Sequence, residues 1–269
     1  METLGIDYDD LRRSEARLRA GGATPRMRDA ADALGVPEAA LVEARRPSGA
    51  AVRLRRPEAE AGFGALLGAL GVVGEAMALT RNAHCVHERH GRYNPPEFRG
   101  TMGQVVGEID LRVFSQHWAF AYALTEQTHK TARRSIQVFD ETGEAVHKVY
   151  PTEATDFDAF DALIAERADF DAPPAAFVHP PGPERARPDA EIDALALRAD
   201  WAALEHSHDF FPLLRQHGVT RAQAMRLGGP DLARPVSPAA AQAVLDRAAA
   251  GALPLMIFVG NRGCVQIHS

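Results

Sequence analysis

The residues best suited to bind a metal lie in the segment WAALEHSHDFFPLLRQHGVTRAQ, from Trp201 to Gln223. It carries two histidines, His206 and His208, and imidazole is the commonest protein ligand for transition metals. The apolar spacing predicts an amphipathic helix that runs into a turn and a second helix. A helix turns by about 100° per residue, so side chains two residues apart point to nearly opposite faces. At most one of the two histidines can therefore face a given ligand.

The helical spacing favours His208 over His206. In steps of three or four residues, one apolar row reads Trp201, Leu204, His208, Phe211 and Arg215. His206 falls on the polar side, beside two acidic neighbours. A histidine that packs in a core without binding anything would give the same pattern. Spacing alone leaves both interpretations open.

The next cation along the chain is Arg221. It follows Thr220, a good N-cap residue, so we expect it in the first turn of the next helix. Free backbone N–H groups and the positive end of the helix dipole favour an anion there. The alternative is a solvated or ion-paired arginine without a ligand.

A second group of candidate ligands is His84, Cys85, His87 and His90 of AHCVHERHG. On a strand, Cys85 and His87 share one face and His84 takes the other, whereas zinc needs four converging ligands. The pattern therefore indicates a strand with exposed histidines, with an iron contact through His87 as the alternative. Cys85 and Cys264 are too few for a disulfide framework, and we expect both to pack as small apolar side chains.

The composition indicates a soluble globular protein. The chain has 269 residues, of which 46% are hydrophobic and 25% charged, and its formal charge is −6. That charge gives no reason to expect nucleic acid as a partner, and any anionic ligand must be met by locally placed arginines. The sequence has no apolar run long enough for a membrane span and no secretion signal near its start. We therefore expect a cytoplasmic protein without stable membrane insertion.

The elements fall into three regions. Short helices are predicted within residues 7–46, strands dominate from about 74 to 150, and RSIQVFDETGEAVHKVY reads as a hairpin. A helix near 158–168 precedes the proline-rich run DAPPAAFVHPPGPERARPD, which we interpret as a linker. The predicted organisation is one domain at 1–168, a linker at 169–190 and a second domain at 191–269.

The chain also resembles itself. MALTRNAHCV, which starts at Met77, matches MIFVGNRGCV, which starts at Met256 (offset 179), and LGVPEAALVEAR matches HGVTRAQAMRLG (offset 183). These matches predict an α+β fold of two tandem repeats, each with N-terminal helices followed by an antiparallel β-sheet. Counterparts of residues 109–150 would fall past Ser269. We therefore expect a second repeat that is incomplete at its C-terminus, from a truncated form of a longer protein or one that needs a partner.

Several strings together resemble one family: ALTRNAHCVHERHGRY, EIDLRVFSQHW, SIQVFDETGEAVHKVY, HSHDFFPLLRQHGVTRAQAMRL and MIFVGNRGCVQIH. They are similar to the haemin-degrading factor or haemin transport protein family, of the HemS/HmuS/ChuS type. The resemblance implies a cytoplasmic bacterial haem-binding protein that accepts haem after import and passes it on or opens the porphyrin to release iron. The axial histidine of the family lies in an x-H-x-F-F segment, which implies His208 as the iron ligand and Phe211 as a haem contact. Arg221 and Arg112, with Phe114 beside the latter, match further family positions.

Two kinds of haem protein remain open on this basis. A carrier in haem uptake and iron acquisition needs only affinity and a release route, whereas a haem-cleaving enzyme must also accept electrons. No G-x-G-x-x-G follows a predicted strand, so a reductant would come from outside. The expected partners are haem and a haem importer, haem oxygenase or reductase. The alternative from a different class is a protein-interaction module whose apolar helix face binds a partner instead of haem.

Overall fold

The computed structural model describes residues 2–21, 25–127, 132–182, 186–206 and 209–268. Within these ranges the α-helices are α1 (Tyr8–Ala20), α2 (Met27–Leu34), α3 (Glu38–Ala44), α4 (Leu66–Ala69), α5 (Phe157–Arg167), α6 (Ala194–Ala202), α7 (Phe210–His217), α8 (Arg221–Leu227) and α9 (Ala240–Gly251). The strands are β1 (Ala51–Arg53), β2 (Gly74–Arg81), β3 (Val86–Arg92), β4 (Glu97–Arg99), β5 (Met102–Val105), β6 (Asp110–Phe114), β7 (Phe120–Gln127), β8 (Ala132–Phe139), β9 (Ala145–Thr155), β10 (Ile257–Gly260) and β11 (Cys264–His268). The mixture of helices and antiparallel strands is the α+β class that the sequence predicts. None of the described helices has the length and apolar character needed to cross a membrane.

The larger sheet has six antiparallel strands in the order β1-β7-β8-β9-β2-β3. Successive side chains of a strand point to opposite faces, and here both faces of the central strands are covered. In β7, Ala121 and Ala123 belong to the main core, whereas Tyr122 and Leu124 pack in a second core with α1, α2 and α3. This explains why β7 and β9 are buried over long runs instead of at alternate positions.

The smaller sheet has five antiparallel strands in the order β10-β11-β6-β5-β4. Its apolar face contributes Val105, Leu111 and Val113 to the main core, which also receives Leu67 of α4 and Phe160 of α5. The opposite face of β6 is half-exposed. The smaller sheet therefore presents its polar positions outward on the strand that carries two of the predicted site residues.

The hairpin predicted around DETG is present and joins β8 to β9. The Asp140 carboxylate accepts hydrogen bonds from the backbone N–H groups of Thr142 (2.9 Å) and Glu144 (3.1 Å). Gly143 has φ +85°, a conformation that glycine adopts without strain. The turn residues therefore set the register of the long strands that follow.

The chain divides into two compact units, residues 1–180 with 255–269, and residues 181–254. The second unit contains α6 to α9, and α6, α7 and α8 contribute to a small core of buried apolar side chains. That core consists of Ile192, Leu197, Leu213, Leu214, Val219 and Ala224.

The structure differs from the predicted linker at residues 171–180. Phe177 is fully buried, and its backbone carbonyl accepts a hydrogen bond from the N–H of Leu4 at 2.7 Å. Its ring also meets Phe120 edge-on, with 5.0 Å between centroids. An apolar anchor inside a proline-rich run was overlooked, because composition does not show which side chain finds a pocket.

The structure also differs in where the last two strands pair. The internal match predicts that they belong to the second repeat, whereas β11 forms antiparallel pairs with β6, from Cys264 opposite Val113 to Ile267 opposite Asp110. Cys264 is fully buried in the main core. These strands therefore complete a sheet of the first unit, since β6 offers them a hydrogen-bonding edge.

Two asparagines, 179 positions apart, make matching turns. Asn82 Oδ1 accepts the backbone N–H groups of residues 84 and 85, and Asn261 Oδ1 accepts those of residues 263 and 264. The amide of Asn82 donates to the carbonyl of Gly260, and that of Asn261 donates to the carbonyl of Arg81, both at 3.0 Å. The β2–β3 and β10–β11 hairpins are therefore tied to each other reciprocally.

We expect Asn261→Ala to lower the free energy of unfolding by about 2–4 kcal/mol, because the side chain makes four hydrogen bonds, each worth about 1 kcal/mol. The fourth runs to the Val146 carbonyl at 2.8 Å. Urea unfolding measures the effect. Asn94→Ala is the matched control, since that exposed amide donates one hydrogen bond, to Val106. Equal losses in the two variants would contradict the role of Asn261 as a tie between hairpins.

Candidate functional site

The segment around the two histidines is not one continuous helix. α6 ends at Ala202 and α7 begins at Phe210, so the helix predicted through His206 is wrong. Pro212 disfavours a regular helix that runs into α7 from upstream, because it lacks an N–H and its ring would clash with the carbonyl four residues earlier. Pro212 instead occupies the first turn of α7, where its missing N–H is not needed. The proline is the sequence signal that marks this break.

Of the two histidines, only His206 lies within the described residues. His206 is exposed, in a bend after α6, which agrees with its prediction as the polar one of the pair. His208 lies outside the described residues, so its assignment as iron ligand stays a prediction. The helical row used to select it does not exist, and the assignment now depends on the family resemblance.

The two phenylalanines of α7 point to different environments. Phe210 packs in the core of the second unit, with its ring centroid 4.8 Å from that of Trp201. Phe211 is 54% exposed. The predicted row that joined Trp201 to Phe211 is therefore wrong, because Leu213 and Leu214 define the buried face of α7 and place Phe210 beside it. Phe211 is left available to a ligand.

Arg221 lies over the ring of Phe211. Its guanidinium carbon lies 5.0 Å from the centroid of the Phe211 ring, within cation–π range. Thr220 caps α8 as predicted: its hydroxyl accepts from the Gln223 N–H at 3.2 Å, and its own N–H donates to Gln223 Oε1 at 3.1 Å. No carboxylate of the described residues lies within 4.0 Å of Arg221. An exposed aromatic ring and a cation that pairs with no described carboxylate thus lie together on the second unit.

Arg112 and Phe114 lie on β6 of the first unit, on the face opposite the buried Leu111 and Val113. Arg112 is 41% exposed at its side chain and forms an ion pair with Asp110 at 2.5 Å, two residues earlier on the same face. Arg112 therefore has an acidic partner on its own strand. The guanidinium remains half-exposed and can also contact a ligand.

The histidines of AHCVHERHG lie in the β2–β3 turn and on β3. In the part of the chain that the structure describes, no three His, Cys, Asp or Glu side chains are grouped to hold a metal ion. His87 contacts the other hairpin, with Nδ1 3.4 Å from the Gln266 carbonyl and its ring edge-on to His268. Burial lowers the pKa of His87. Cys85 is exposed, so its predicted packing is wrong, whereas Cys264 is buried as expected.

A buried chain of hydrogen-bonded side chains around His147 was not predicted from the sequence. His147 of β9 is 1% exposed, with Nε2 2.8 Å from the Tyr93 hydroxyl and Nδ1 2.9 Å from Thr80 Oγ1. The Thr80 hydroxyl in turn donates to Cys264 Sγ at 3.7 Å. A neutral imidazole with its proton on Nδ1 satisfies this chain: Tyr93 donates to Nε2, and Nδ1–H donates to Thr80. Its members Thr80, Tyr93, His147 and Cys264 lie far apart in the sequence, so no single segment signals it.

Burial lowers the pKa of His147 to about 3, against 6.5 in an unfolded chain. Below pH 6.5 the unfolded state binds the extra proton, so stability falls with pH down to the folded pKa, by up to about 1.4 kcal/mol per unit. We expect the wild type to lose about 2 kcal/mol more than His147→Gln between pH 7 and pH 5. Urea unfolding at both pH values measures this. Parallel losses in the two proteins would contradict a neutral buried imidazole.

A family model for the haemin-degrading HemS/ChuX domain matches residues 35–167 and 218–269. This chain belongs to that family. The family predicted from the sequence is thus confirmed, and the matched residues include Arg112, Phe114 and Arg221 but neither His208 nor Phe211.

Two relatives of this chain are named as haemin transport proteins. It is 41% identical to HemS of Yersinia enterocolitica and 42% identical to HmuS of Yersinia pestis, over 90% of this chain and 68% of each relative. The structure resembles holo-PhuS, a heme-binding protein from Pseudomonas aeruginosa, with a TM-score of 0.88 and 43% identity over 98% of this chain and 75% of that one. It also resembles the heme-degrading enzyme ChuS of Escherichia coli O157:H7, with a TM-score of 0.84 and 33% identity, over 97% of this chain and 74% of that one.

Proposed function

We propose that this protein binds haem through His208 and takes part in the cytoplasmic handling of haem during bacterial iron acquisition. The observation that carries the proposal is the exposed pair of Phe211 and Arg221 on α7 and α8, the two helices that follow His208 in the sequence. Haem is a flat apolar plate with a metal at its centre and two carboxylates at its edge. An aromatic wall and a cation with no carboxylate partner among the described residues fit the plate and its acidic edge.

The roles of the side chains follow from their chemistry. His208 supplies a neutral imidazole to the iron, and Arg221 meets a propionate or an iron-bound anion. Arg112 and Phe114 of β6 are proposed as further haem contacts, supported by the half-exposed face on which both lie. Haem brings the redox-active iron, and an external reductant supplies any electrons that cleavage requires. An importer, a haem oxygenase or a reductase is the expected partner.

We expect Arg221→Gln to weaken haemin binding about tenfold, because it removes a charge-assisted contact worth about 1.5 kcal/mol or more. Titration of haemin into the purified protein, followed by the Soret band, gives the affinity. Arg226→Gln, on the same helix but already paired with Asp189, is the matched control. Equal haemin affinities of the Arg221 variant and the wild type would show that Arg221 does not contact haem.

Carrier and enzyme are separated by one further experiment on the haem-loaded protein. Ascorbate in air is added, and the Soret band is followed together with the appearance of free iron and a linear tetrapyrrole. Loss of the band with these products supports haem cleavage. Haem that persists under these conditions supports a carrier.

A further inference from the structure

We propose that the first unit contains a second ligand site, a cleft that binds a small organic anion with two or more phosphate or carboxylate groups. The cleft has a volume of about 990 Å³ and is lined by side chains of α1, α2 and the six-stranded sheet. That volume is at the upper end of the range for small-molecule sites, about 300–1,000 Å³. Neither Phe211 and Arg221 nor Arg112 and Phe114 line this cleft, and the inference does not depend on the proposed function.

The charge of the cleft differs from that of the chain. Its lining has eight Arg or Lys and six Asp or Glu side chains, a net charge of +2, whereas the whole chain carries −6. At the floor, the buried Glu38 carboxylate pairs with both Arg81 and Lys148, so two cations share one anion. Nearer the opening, Arg133 has no carboxylate of the described residues within 4.0 Å. The surplus positive charge favours an anionic ligand.

A largely buried tyrosine lines the cleft. Tyr150 is 7% exposed and lines the cleft, and its hydroxyl makes no hydrogen bond with any described residue. The guanidinium carbon of Arg133 lies 4.0 Å from the centroid of the Tyr150 ring. The phenol O–H can therefore donate a hydrogen bond to a ligand in the cleft. Burial also raises the pKa of Tyr150 to about 12, so the hydroxyl keeps its proton and donates to a ligand oxygen.

The side chains of the cleft are suited to anionic groups and not to iron. At the offset of 183, Pro25 stands where the second half has His208, and Glu38 stands where it has Arg221. Neither histidine nor cysteine occurs among the described lining residues. Seven of the eight cations are arginines, whose planar guanidinium matches phosphate and carboxylate oxygens in pairs. The ligand is therefore held by its charged groups and not through a metal.

Calorimetric titration tests the site with two probes, inorganic triphosphate for phosphate ligands and citrate for carboxylate ligands. We expect one of the two probes to bind with one-to-one stoichiometry. Tyr150→Phe, which removes only the hydroxyl, is expected to weaken binding about fivefold, and Arg133→Gln about tenfold. Arg92→Gln on β3, an exposed arginine that does not line the cleft, should bind as the wild type does.

Amide chemical-shift mapping with the same probe locates the site without any substitution. Shifts confined to residues of α2, β2 and β9 support the proposal, and shifts confined to other elements overturn it. Absence of binding by both probes at millimolar concentration, or equal affinity in Tyr150→Phe, Arg133→Gln and wild type, also overturns it. The haem site is judged separately, because His208→Ala should leave probe binding unchanged and Tyr150→Phe should leave the haemin titration unchanged.

Discussion

Substitution of His208 by alanine is expected to weaken haemin binding on the order of a hundredfold and to abolish the shift of the Soret band. The reason is that the axial imidazole is the only bond proposed between this chain and the iron, whereas Phe211 and Arg221 contact the plate and its edge. The measurement is the haemin titration of purified wild-type and variant proteins under identical conditions.

His206→Ala is the matched control for that experiment. His206 is an exposed imidazole two residues away, so its removal changes composition and charge in the same manner without removing the proposed ligand. We expect its Soret band and affinity to equal those of the wild type. A normal spectrum in the His208 variant would remove His208 from the site and favour the protein-interaction alternative. A loss in the His206 variant alone would reassign the ligand.

Glu38→Ala is expected to lower the free energy of unfolding by about 3–5 kcal/mol, the usual effect of breaking a buried ion pair. Glu38 is 3% exposed, and its carboxylate accepts hydrogen bonds from Arg81 of β2 and Lys148 of β9. Without it, two buried or half-buried cations face each other with no anion between them. Urea unfolding at neutral pH measures the loss.

The pH dependence gives that experiment a second readout. Burial alone would raise the pKa of Glu38, but Lys148 and Arg81 together hold it below its ordinary value. The contribution to stability is therefore present above the unfolded pKa and is lost as the pH falls through the folded one. Glu153→Ala, at an exposed position of the same strand as Lys148, should cost little. A loss below about 1 kcal/mol for Glu38→Ala would show that the triad does not stabilise the fold.

The second unit shows where local sequence reasoning is reliable and where it is not. The cap at Thr220 and the start of α8 followed from neighbouring residues, because a hydroxyl three residues before an N–H depends on local geometry alone. The choice between Phe210 and Phe211 did not follow, since both can face outward on an isolated helix. Only the positions of Trp201 and Leu213 decide which of the two rings is buried.

The sequence by itself determined the α+β class, the DETG hairpin and the family, because turn chemistry, side-chain periodicity and several quoted strings are properties of short stretches. The tertiary structure decided that β11 pairs with β6, that His147 is buried and neutral, and that the cleft beside Tyr150 gathers an excess of cations. Each of these features joins residues far apart in the chain. Contacts of that kind depend on which strands meet and which faces are covered, so no single segment encodes them.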